Sequence, residues 1–370
     1  MKKSLIALAV LASASAAYAQ SSVTLFGIVD VTLSRGKGNG VGSSDRTQLT
    51  TSGYNSSRIG FRGTEDLGGG MSASFWLEAG VNPDSGVGQA TNVNNQVTGT
   101  NPSCSVAGPI TTPCTINAQG SQGLTFNRRS TVSLGGGFGE VRLGRDYTPQ
   151  FWNLTVFDPF GTNGVGTTQT LNSSRGGPTA VRASNSIGYF LPGNLGGFYG
   201  QLQYSLGENP RNTVNRKDGD GMGIRIGYAN GPINVAGAYS RTRFLTGDIK
   251  SANVGAQYDF GVAKVMAHIN RDRVNNGDNG RGGLIGALVP VGPGEIRLAY
   301  STYKNKAVAG NPRSDKLALG YVHNLSKRTA LYTTFARVKN RGGAAQSLGG
   351  SVTSANSNSS GFDFGVRHSF

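Results

Sequence analysis

The chain has 370 residues, of which 58 are Gly, and its 35 Lys and Arg against 19 Asp and Glu give a formal net charge of +16. Glycine is about twice as frequent as in ordinary globular domains, and charged residues make up only 15% against the usual ~25%. This composition is atypical of a cytosolic enzyme, and apolar alternation along most of the chain excludes disorder. After residue 20 no apolar run approaches the ~20 residues of a spanning helix, which excludes a helical membrane protein.

The first residues predict export. Lys2-Lys3 is a cationic start, Leu5–Ala12 is an uncharged apolar stretch, and Ala17-Tyr18-Ala19 is a small-x-small cleavage pattern. We therefore predict a cleaved signal peptide over 1–19 and a mature protein over 20–370. Loss of the two lysines would lower the net charge from +16 to +14.

Beyond this segment, apolar residues recur at every second position in short stretches. In Gly361–Phe370, for example, Phe362, Phe364 and Val366 alternate with small or polar residues. Successive side chains of a strand point to opposite faces, so each stretch predicts a strand with one apolar face. We predict sixteen strands, at residues 23–34, 56–64, 71–80, 126–135, 140–146, 182–190, 197–206, 221–229, 232–243, 250–259, 262–271, 282–289, 295–304, 315–324, 328–339 and 361–370.

The connections between these strands alternate in length. Seven tight turns and eight longer loops leave both termini at the tight-turn end. This alternation is typical of an outer-membrane barrel with short periplasmic turns and long extracellular loops, whereas a soluble sandwich has no reason to separate its connections by length. We therefore predict an all-β fold, a 16-stranded antiparallel transmembrane β-barrel in which the first strand pairs with the last.

The second long loop, about residues 81–125, carries the only two cysteines of the chain, Cys104 and Cys114. Free thiols are uncommon in the oxidising compartments that exported proteins reach, so we predict a disulfide between them. A metal site is the alternative, but no His lies nearby and the spacing fits no zinc motif. We predict no metal and no cofactor.

The last residue of the chain is Phe370, and aromatic or apolar residues precede it at alternating positions. This pattern looks like the C-terminal assembly signal of outer-membrane barrels. We therefore predict the outer membrane as the location of the protein. The partners expected there are the barrel-assembly machinery and the membrane lipid, including lipopolysaccharide.

Four segments carry motifs in a characteristic order. They are Ser22–Asp30 (SVTLFGIVD), Ser57–Gly70 (SRIGFRGTEDLGGG), Phe138–Arg145 (FGEVRLGR) and Asn185–Tyr189 (NSIGY). They resemble the first strand, the second strand with its turn, and the fifth and sixth strands of the beta-proteobacterial general porins, which are related to neisserial porins. Within that family the sequence is most similar to the anion-selective porins of Comamonas-type bacteria. The resemblance covers the whole mature chain and departs from the family mainly in the loops.

The resemblance implies a homotrimeric channel for passive diffusion of small hydrophilic solutes and ions. In this family the third loop, here about residues 147–181, folds into the lumen and narrows it. The resemblance also implies a basic cluster opposite that loop, formed by Arg58, Arg129 and Arg182. Arg128 competes with Arg129 for the position on the fourth strand, and strand alternation favours Arg129.

Strand alternation also assigns charges to the lumen. The arginines predicted to face inward are Arg58, Arg62, Arg129, Arg142 and Arg182. Glu78 is the nearest predicted counter-charge, and Asp158 is the only carboxylate of the third loop. A unit charge ~6 Å away in water is worth about 0.7 kcal/mol, so three uncompensated arginines favour an anion by about 1–2 kcal/mol. We expect an anion preference that weakens as salt rises.

Two other assignments stay open for the barrel as a channel. The first is a substrate-specific channel for small anionic metabolites; sugar-specific channels carry aromatic residues into the pore, whereas the inward faces here are mainly Gly, Ser, Thr and Arg. In the second, the arginines only pair with nearby acids and lipopolysaccharide. The aromatic residues expected in interface girdles or in packing are Phe26, Trp76, Tyr258, Tyr300, Tyr303, Tyr321 and Phe370.

Two functions of a different class are disfavoured. A barrel hydrolase needs a His positioned beside a nucleophile, and His268, His323 and His368 all lie in predicted strands, away from clustered carboxylates. Nucleic-acid binding would suit the basic composition, but export and the even spread of basic residues argue against it. We predict that the protein is not an enzyme.

Overall fold

The structure, a computed structural model, describes residues 22–89, 95–96, 123–169, 177–245, 247–274, 279–306 and 310–370. The predicted signal peptide and the cysteines Cys104 and Cys114 lie outside the described residues. The cleavage site and the disulfide therefore stay predictions.

Sixteen antiparallel strands form the wall of a closed barrel in the described part of the chain. They are β1 (Ser22–Lys37), β2 (Arg58–Gly68), β3 (Met71–Asn82), β4 (Arg129–Gly136), β5 (Gly139–Tyr147), β6 (Arg182–Phe190), β7 (Phe198–Ser205), β8 (Gly221–Asn230), β9 (Ile233–Thr242), β10 (Ile249–Asp259), β11 (Lys264–Val274), β12 (Asn279–Val291), β13 (Gly294–Asn305), β14 (Arg313–Asn324), β15 (Thr329–Arg341) and β16 (Ser359–Ser369). Every predicted strand is present, with ends that shift by a few residues. The predicted fold class is confirmed.

The first and last strands close the barrel. β1 pairs with β16 along Ile28–Lys37 on one edge and with β2 along Ser22–Ile28 on the other. The terminal Phe370 continues the closure, because its backbone N–H and C=O both hydrogen bond to Gly27, at 3.1 and 3.0 Å. Each of the sixteen wall strands thus pairs with a neighbour on both sides, as required where no water can satisfy backbone groups.

Two short strands lie inside the long loops, where none was predicted. Arg46–Thr51 pairs with β1, and Val87–Gly88 pairs with β3. The first continues the line of β2 beyond a break at Ser52–Ser57. Segments this short carry too few alternating residues to be detected in the sequence.

Side chains alternate across the wall as the sequence predicts. On β4, for example, Val132 and Leu134 are exposed on the outer face, whereas Thr131 and Ser133 are buried on the inner face. An outward apolar band around a polar interior is the pattern of a barrel in lipid. Within the described residues, no helix is both long and apolar enough to cross a membrane.

The third loop, between β5 and β6, lies inside the barrel. It begins with the helix α1 (Pro149–Val156), which packs against β8, β9 and β10. Glycines on the inner wall make room for the residues that follow. A Cβ atom on Gly286 of β12 would lie 2.6 Å from Cγ of Pro159, and one on Gly255 of β10 would overlap the Phe157 ring. These inward glycines therefore allow the loop to lie directly on the wall.

The tip of the third loop packs against the opposite side of the barrel. Phe160 and Val165 form a buried apolar cluster with the inward residues Leu284, Ala299, Ala318, Ala336, Val338 and Leu348. Hydrogen bonds add to this contact: Lys316 Nζ donates to Val165 O at 3.0 Å, and Val165 N–H donates to Asp363 Oδ2 at 2.8 Å. The loop is thus held along β12 to β16 as well as at its two ends.

The break in the wall at Ser52–Ser57, here called the inward fold, is organised by a buried carboxylate. Asp30 Oδ2 accepts the backbone N–H groups of Tyr54 and Asn55 at 3.0 and 2.6 Å, and Oδ1 accepts the Tyr332 hydroxyl at 2.5 Å. Ser56 Oγ then donates to Asn163 of the third loop at 2.8 Å. The inward fold therefore brings the Tyr54 ring into the lumen and contacts the loop tip.

Replacing Phe157 by Ala is expected to loosen the third loop without opening the barrel. The Phe157 side chain has no exposed surface, and truncating a buried Phe to Ala typically costs ~3–5 kcal/mol. We expect faster amide hydrogen exchange across residues 149–169 of the variant in detergent. Phe335→Ala is the matched control, because that ring faces lipid and is 50% exposed. Equal exchange of the loop in both variants would contradict the packing described above.

Candidate functional site

Three arginines, one glutamate and one tyrosine meet where β2 to β6 reach the third loop. We call Arg58, Glu78, Arg128, Tyr147 and Arg182 the Glu78 cluster. Arg128 Nε lies 2.5 Å from Glu78 Oε1, and Arg58 Nη1 lies 3.7 Å from the same oxygen. Arg128 and Arg182 each donate a hydrogen bond of 3.0 Å to the Tyr147 hydroxyl. Two guanidinium groups of the cluster therefore pair with its one carboxylate, and the third contacts the shared Tyr147 hydroxyl.

The structure corrects the choice between the two adjacent arginines before the fourth strand. Arg128, not Arg129, lies with Arg58 and Arg182. β4 begins at Arg129, so Arg128 precedes the regular strand and alternation does not govern its side chain. Arg129 also faces the lumen, where its Nε donates to Thr131 Oγ1 at 3.0 Å.

A second group of charges lies on β4 and β5. We call Arg129, Glu140, Arg142 and Asp146 the Asp146 cluster. Arg142 binds Glu140 through two hydrogen bonds of 3.0 Å and forms a second ion pair with Asp146, whose Oδ2 lies 4.0 Å from Arg129 Nε. Two arginines face two carboxylates here, so the formal charges balance. Arg142 lies in the lumen as predicted, but it adds little uncompensated charge.

Seven lumen arginines lie over aromatic rings. Each guanidinium carbon lies 4.0–5.3 Å from the centre of a ring. The pairs are Arg62 with Phe26 and Trp76, Arg129 with Trp76, Arg142 with Phe190, Arg182 with Tyr147, Arg225 with Tyr199, and both Arg297 and Arg367 with Tyr54. Such contacts stabilise the cation on the ring face. The N–H edges of the guanidinium plane stay available for hydrogen bonds to anions.

Phe26 and Trp76, which were expected in interface girdles or in packing, pack against each other inside the barrel. Trp76 Nε1 donates to Glu78 Oε2 at 3.1 Å, and the Phe26 and Trp76 rings are 4.9 Å apart inside the barrel. Tyr303 is also buried inside, where its hydroxyl donates to Asp272 at 2.9 Å. Strand alternation already contained this signal, because Trp76 is two residues from the inward Glu78.

Four of the stacked arginines have no carboxylate within 4.0 Å among the residues that the structure describes. They are Arg62, Arg182, Arg225 and Arg367; Arg225 Nε donates instead to Asn153 Oδ1 of α1 at 2.9 Å. The Nε–H of Arg182 is buried without an acceptor in this part of the chain. Uncompensated guanidinium groups thus face the lumen at several points of its wall.

A closed barrel with a loop inside it and charges on its inner wall is the architecture of a porin, and comparisons with known proteins agree. A family model described as Gram-negative porin matches residues 4–343. The chain belongs to this family. It is 38% identical to outer membrane porin protein 32 of Delftia acidovorans over the full length of both chains. It is 28% identical to an outer membrane porin of Bordetella pertussis, with 92% of this chain and 95% of that one covered.

Solved structures give the same result. The porin superposes on the anion-selective porin from Comamonas acidovorans with a TM-score of 0.78 and 35% identity, covering 95% of this chain and all of the other. OmpF of Salmonella typhi matches with a TM-score of 0.63 at 14% identity, a likeness of fold alone. The resemblance recognised in the sequence is confirmed. The protein is an outer-membrane porin.

Asp158, the only carboxylate of the porin's third loop, faces the loop itself rather than the Glu78 cluster. Its two oxygens accept the backbone N–H groups of Phe160 and Thr168 at 2.8 and 3.1 Å. Burial raises the pKa of Asp158, although these hydrogen bonds and the charges of Lys316 and Arg297 oppose the shift. Asp158 therefore has a structural role in closing the loop tip.

Sequence analysis missed three lumen arginines, Arg225, Arg297 and Arg367. Each occupies an inward position of its strand; Arg225 lies between Ile224 and Ile226, and Arg297 lies between Ile296 and Leu298. Alternation is the signal that identifies them, although they lie outside the four segments that carry the family resemblance. The basic lining therefore extends around the lumen.

Glu78→Gln and Asp158→Asn each remove one carboxylate of the lumen and are expected to differ. Loss of Glu78 leaves three arginines uncompensated, which is expected to raise the chloride-to-potassium permeability ratio about tenfold at low salt, since a unit charge at ~6 Å shifts the energies of the two ions by about 0.7 kcal/mol each in opposite directions. Loss of the Asp158 charge is expected to change the ratio less than about 1.5-fold, because the positive charges of Lys316 and Arg297 lie near this carboxylate and offset it. Zero-current potentials across a KCl gradient in planar bilayers measure both. An equal response of the two variants would refute this division of roles.

Proposed function

We propose that this porin is a passive diffusion channel that prefers anions because of its arginine-lined lumen. The observation that carries the proposal is the set of four stacked lumen arginines that have no carboxylate partner among the described residues. The anion-selective porin from Comamonas acidovorans, which this chain resembles at 35% identity, supports it. Guanidinium groups stay charged at any relevant pH, so the preference does not depend on titration.

We propose that selection between anions and cations takes place mainly at the Glu78 cluster, beside the third loop. Its three arginines and one glutamate carry a formal charge of +2. Asp158 does not oppose them, because its oxygens are used within the loop. An anion that enters from either side therefore meets a net positive wall.

The size of the preference follows from the dielectric of water. A single charge ~6 Å from the ion contributes about 0.7 kcal/mol, so two net charges stabilise chloride by about 1–2 kcal/mol before screening and destabilise potassium by a similar amount. The Debye length of ~8 Å at physiological salt is similar to this distance, so part of the preference persists there. The pore discriminates between signs of charge without excluding cations.

Diffusion requires no catalytic group, and we propose no enzymatic activity for this porin. We propose a homotrimer in the outer membrane, in contact with lipopolysaccharide, that the barrel-assembly machinery inserts through the C-terminal strand. Phe370 supports this last part, since it completes the ladder between the first and last strands.

A channel specific for small anionic metabolites is the second candidate, and the aromatic lining favours it. The rings of Phe26 and Trp76 lie beside Arg62, so a flat carboxylate could contact a ring and a cation together. Liposome uptake of benzoate and of acetate distinguishes the two functions. A general pore gives initial rates that rise linearly with concentration for both anions, whereas a specific channel gives a rate that saturates for benzoate.

Arg182→Gln is expected to lower the chloride-to-potassium permeability ratio about tenfold at low salt, because the lost charge at ~6 Å acts on chloride and potassium by about 0.7 kcal/mol each, in opposite directions. At ~1 M KCl, where the Debye length is ~3 Å, the difference should shrink. Arg58→Ser is expected to have a smaller effect, because Arg58 shares Glu78 with Arg128. Zero-current potentials in planar bilayers measure each ratio.

The matched control is Arg211→Gln, which removes one exposed arginine from the loop between β7 and β8. Its permeability ratio should equal that of the wild type. A potassium-selective wild type, or the same shift in Arg211→Gln as in Arg182→Gln, would defeat the proposal.

A further inference from the structure

An uncompensated row of basic residues lies on the outer face of the barrel, at the loop ends of β11, β12 and β13. Arg271 lies directly opposite Arg281, and Arg281 lies directly opposite Lys304. On the same strands the inward neighbours Asn270 and Asp272 are buried, whereas Arg271 and Arg281 are exposed outside. Three cations therefore stand side by side, facing away from the pore.

This row is unfavourable in isolation. Side chains directly opposite in antiparallel strands have Cβ atoms ~5 Å apart, and like charges at such positions destabilise the pairing. Among the described residues, no carboxylate lies within 4.0 Å of Arg271, Arg281 or Lys304. The three cations can therefore bind an anion at the edge of the membrane.

Neighbouring strands show the opposite arrangement at the same level. Arg241 on β9 forms an ion pair with Asp248, and Arg313 and Arg341 on β14 and β15 both pair with Asp315. Among the described residues, counter-charges therefore lie on both sides of the row but not within it. Arg273, opposite Lys250, adds to the same uncompensated patch.

An apolar groove lies directly below these cations on the lipid-facing wall. It has a volume of about 620 Å³, and Arg271 and Arg281 form its upper end. Its walls include Ile224, Tyr239, Val254 and Ile269, and Gly237 leaves the floor open. The groove and the row together match a molecule with an anionic head and a hydrocarbon chain.

We propose that this surface binds a phosphorylated, acylated glycolipid of the outer leaflet, the lipid A part of lipopolysaccharide. The phosphate would lie between Arg271 and Arg281, where two guanidinium planes can each donate paired N–H groups. An acyl chain would lie in the groove below. The proposal specifies a site for the lipid contact proposed above and is independent of ion selectivity, since none of these residues faces the lumen.

A second copy of this chain is the competing occupant of the groove. A subunit contact here would bury Arg271, Arg281 and Lys304 without counter-charges, which is costly. A lipid phosphate instead neutralises the row at the depth where the apolar band ends. Charge complementarity therefore favours the lipid.

The test uses the purified full-length porin and bisphosphoryl lipid A, titrated in detergent and counted by native mass spectrometry. The double variant R271Q/R281Q is expected to bind the lipid at least ~tenfold more weakly, since two charge-assisted contacts are lost. The matched control is R211Q/R216Q, which removes two exposed loop arginines and makes the same change in net charge. It should bind as the wild type does, and dephosphorylated lipid A should bind the wild type only weakly.

A third variant tests the groove without changing charge. A Cβ atom on Gly237 would lie 3.7 Å from Val254 Cγ2, an ordinary contact, so Gly237→Leu can fill the groove without moving the strand. We expect it to weaken lipid A binding as well, while subunit assembly and the zero-current potential stay as in the wild type.

Three results would overturn the site. These are unchanged lipid binding in R271Q/R281Q, an equal loss in R211Q/R216Q, and loss of the oligomer rather than of the lipid in Gly237→Leu. The zero-current potential of these variants is expected to equal that of the wild type. It therefore tests the anion preference separately from the lipid site.

Discussion

In the hydrocarbon core of a membrane, no water is available to satisfy a backbone N–H or C=O group, so every strand of this porin needs a partner on both sides. Pairing of β1 with β16 completes that condition. Once the wall is closed, each side chain faces either lipid or the lumen. The selective lining, the position of the third loop and the basic patch on the outer face all follow from this two-way division.

The division explains why so much of the fold could be predicted from the sequence. Period-two alternation is a local property, and residues such as Val132 and Leu134 show it without any knowledge of distant contacts. The alternation of short turns and long loops gave the strand number and the closure. The inward positions of Arg62, Arg142 and Glu78 followed from the same rule.

What the sequence could not provide depends on contacts between residues far apart. Arg128 joins the Glu78 cluster because it precedes the regular strand, where alternation no longer applies. Tyr54 reaches the lumen because Asp30 and Tyr332, which are 302 residues apart, hold the inward fold. Phe26 and Trp76 were expected in interface girdles or in packing, and their contacts with each other and with Arg62 depend on which strands become neighbours.

The contacts of the third-loop tip have a consequence for the order of assembly. The tip lies against Asp363 of the last strand and hydrogen bonds to the inward fold beside the first, at sequence separations of 198 and 107 residues. These partners come together only when the two ends of the sheet have met. In a barrel that has not yet closed the loop tip therefore lacks these two contacts, and its position inside the barrel becomes fixed only when the wall is complete.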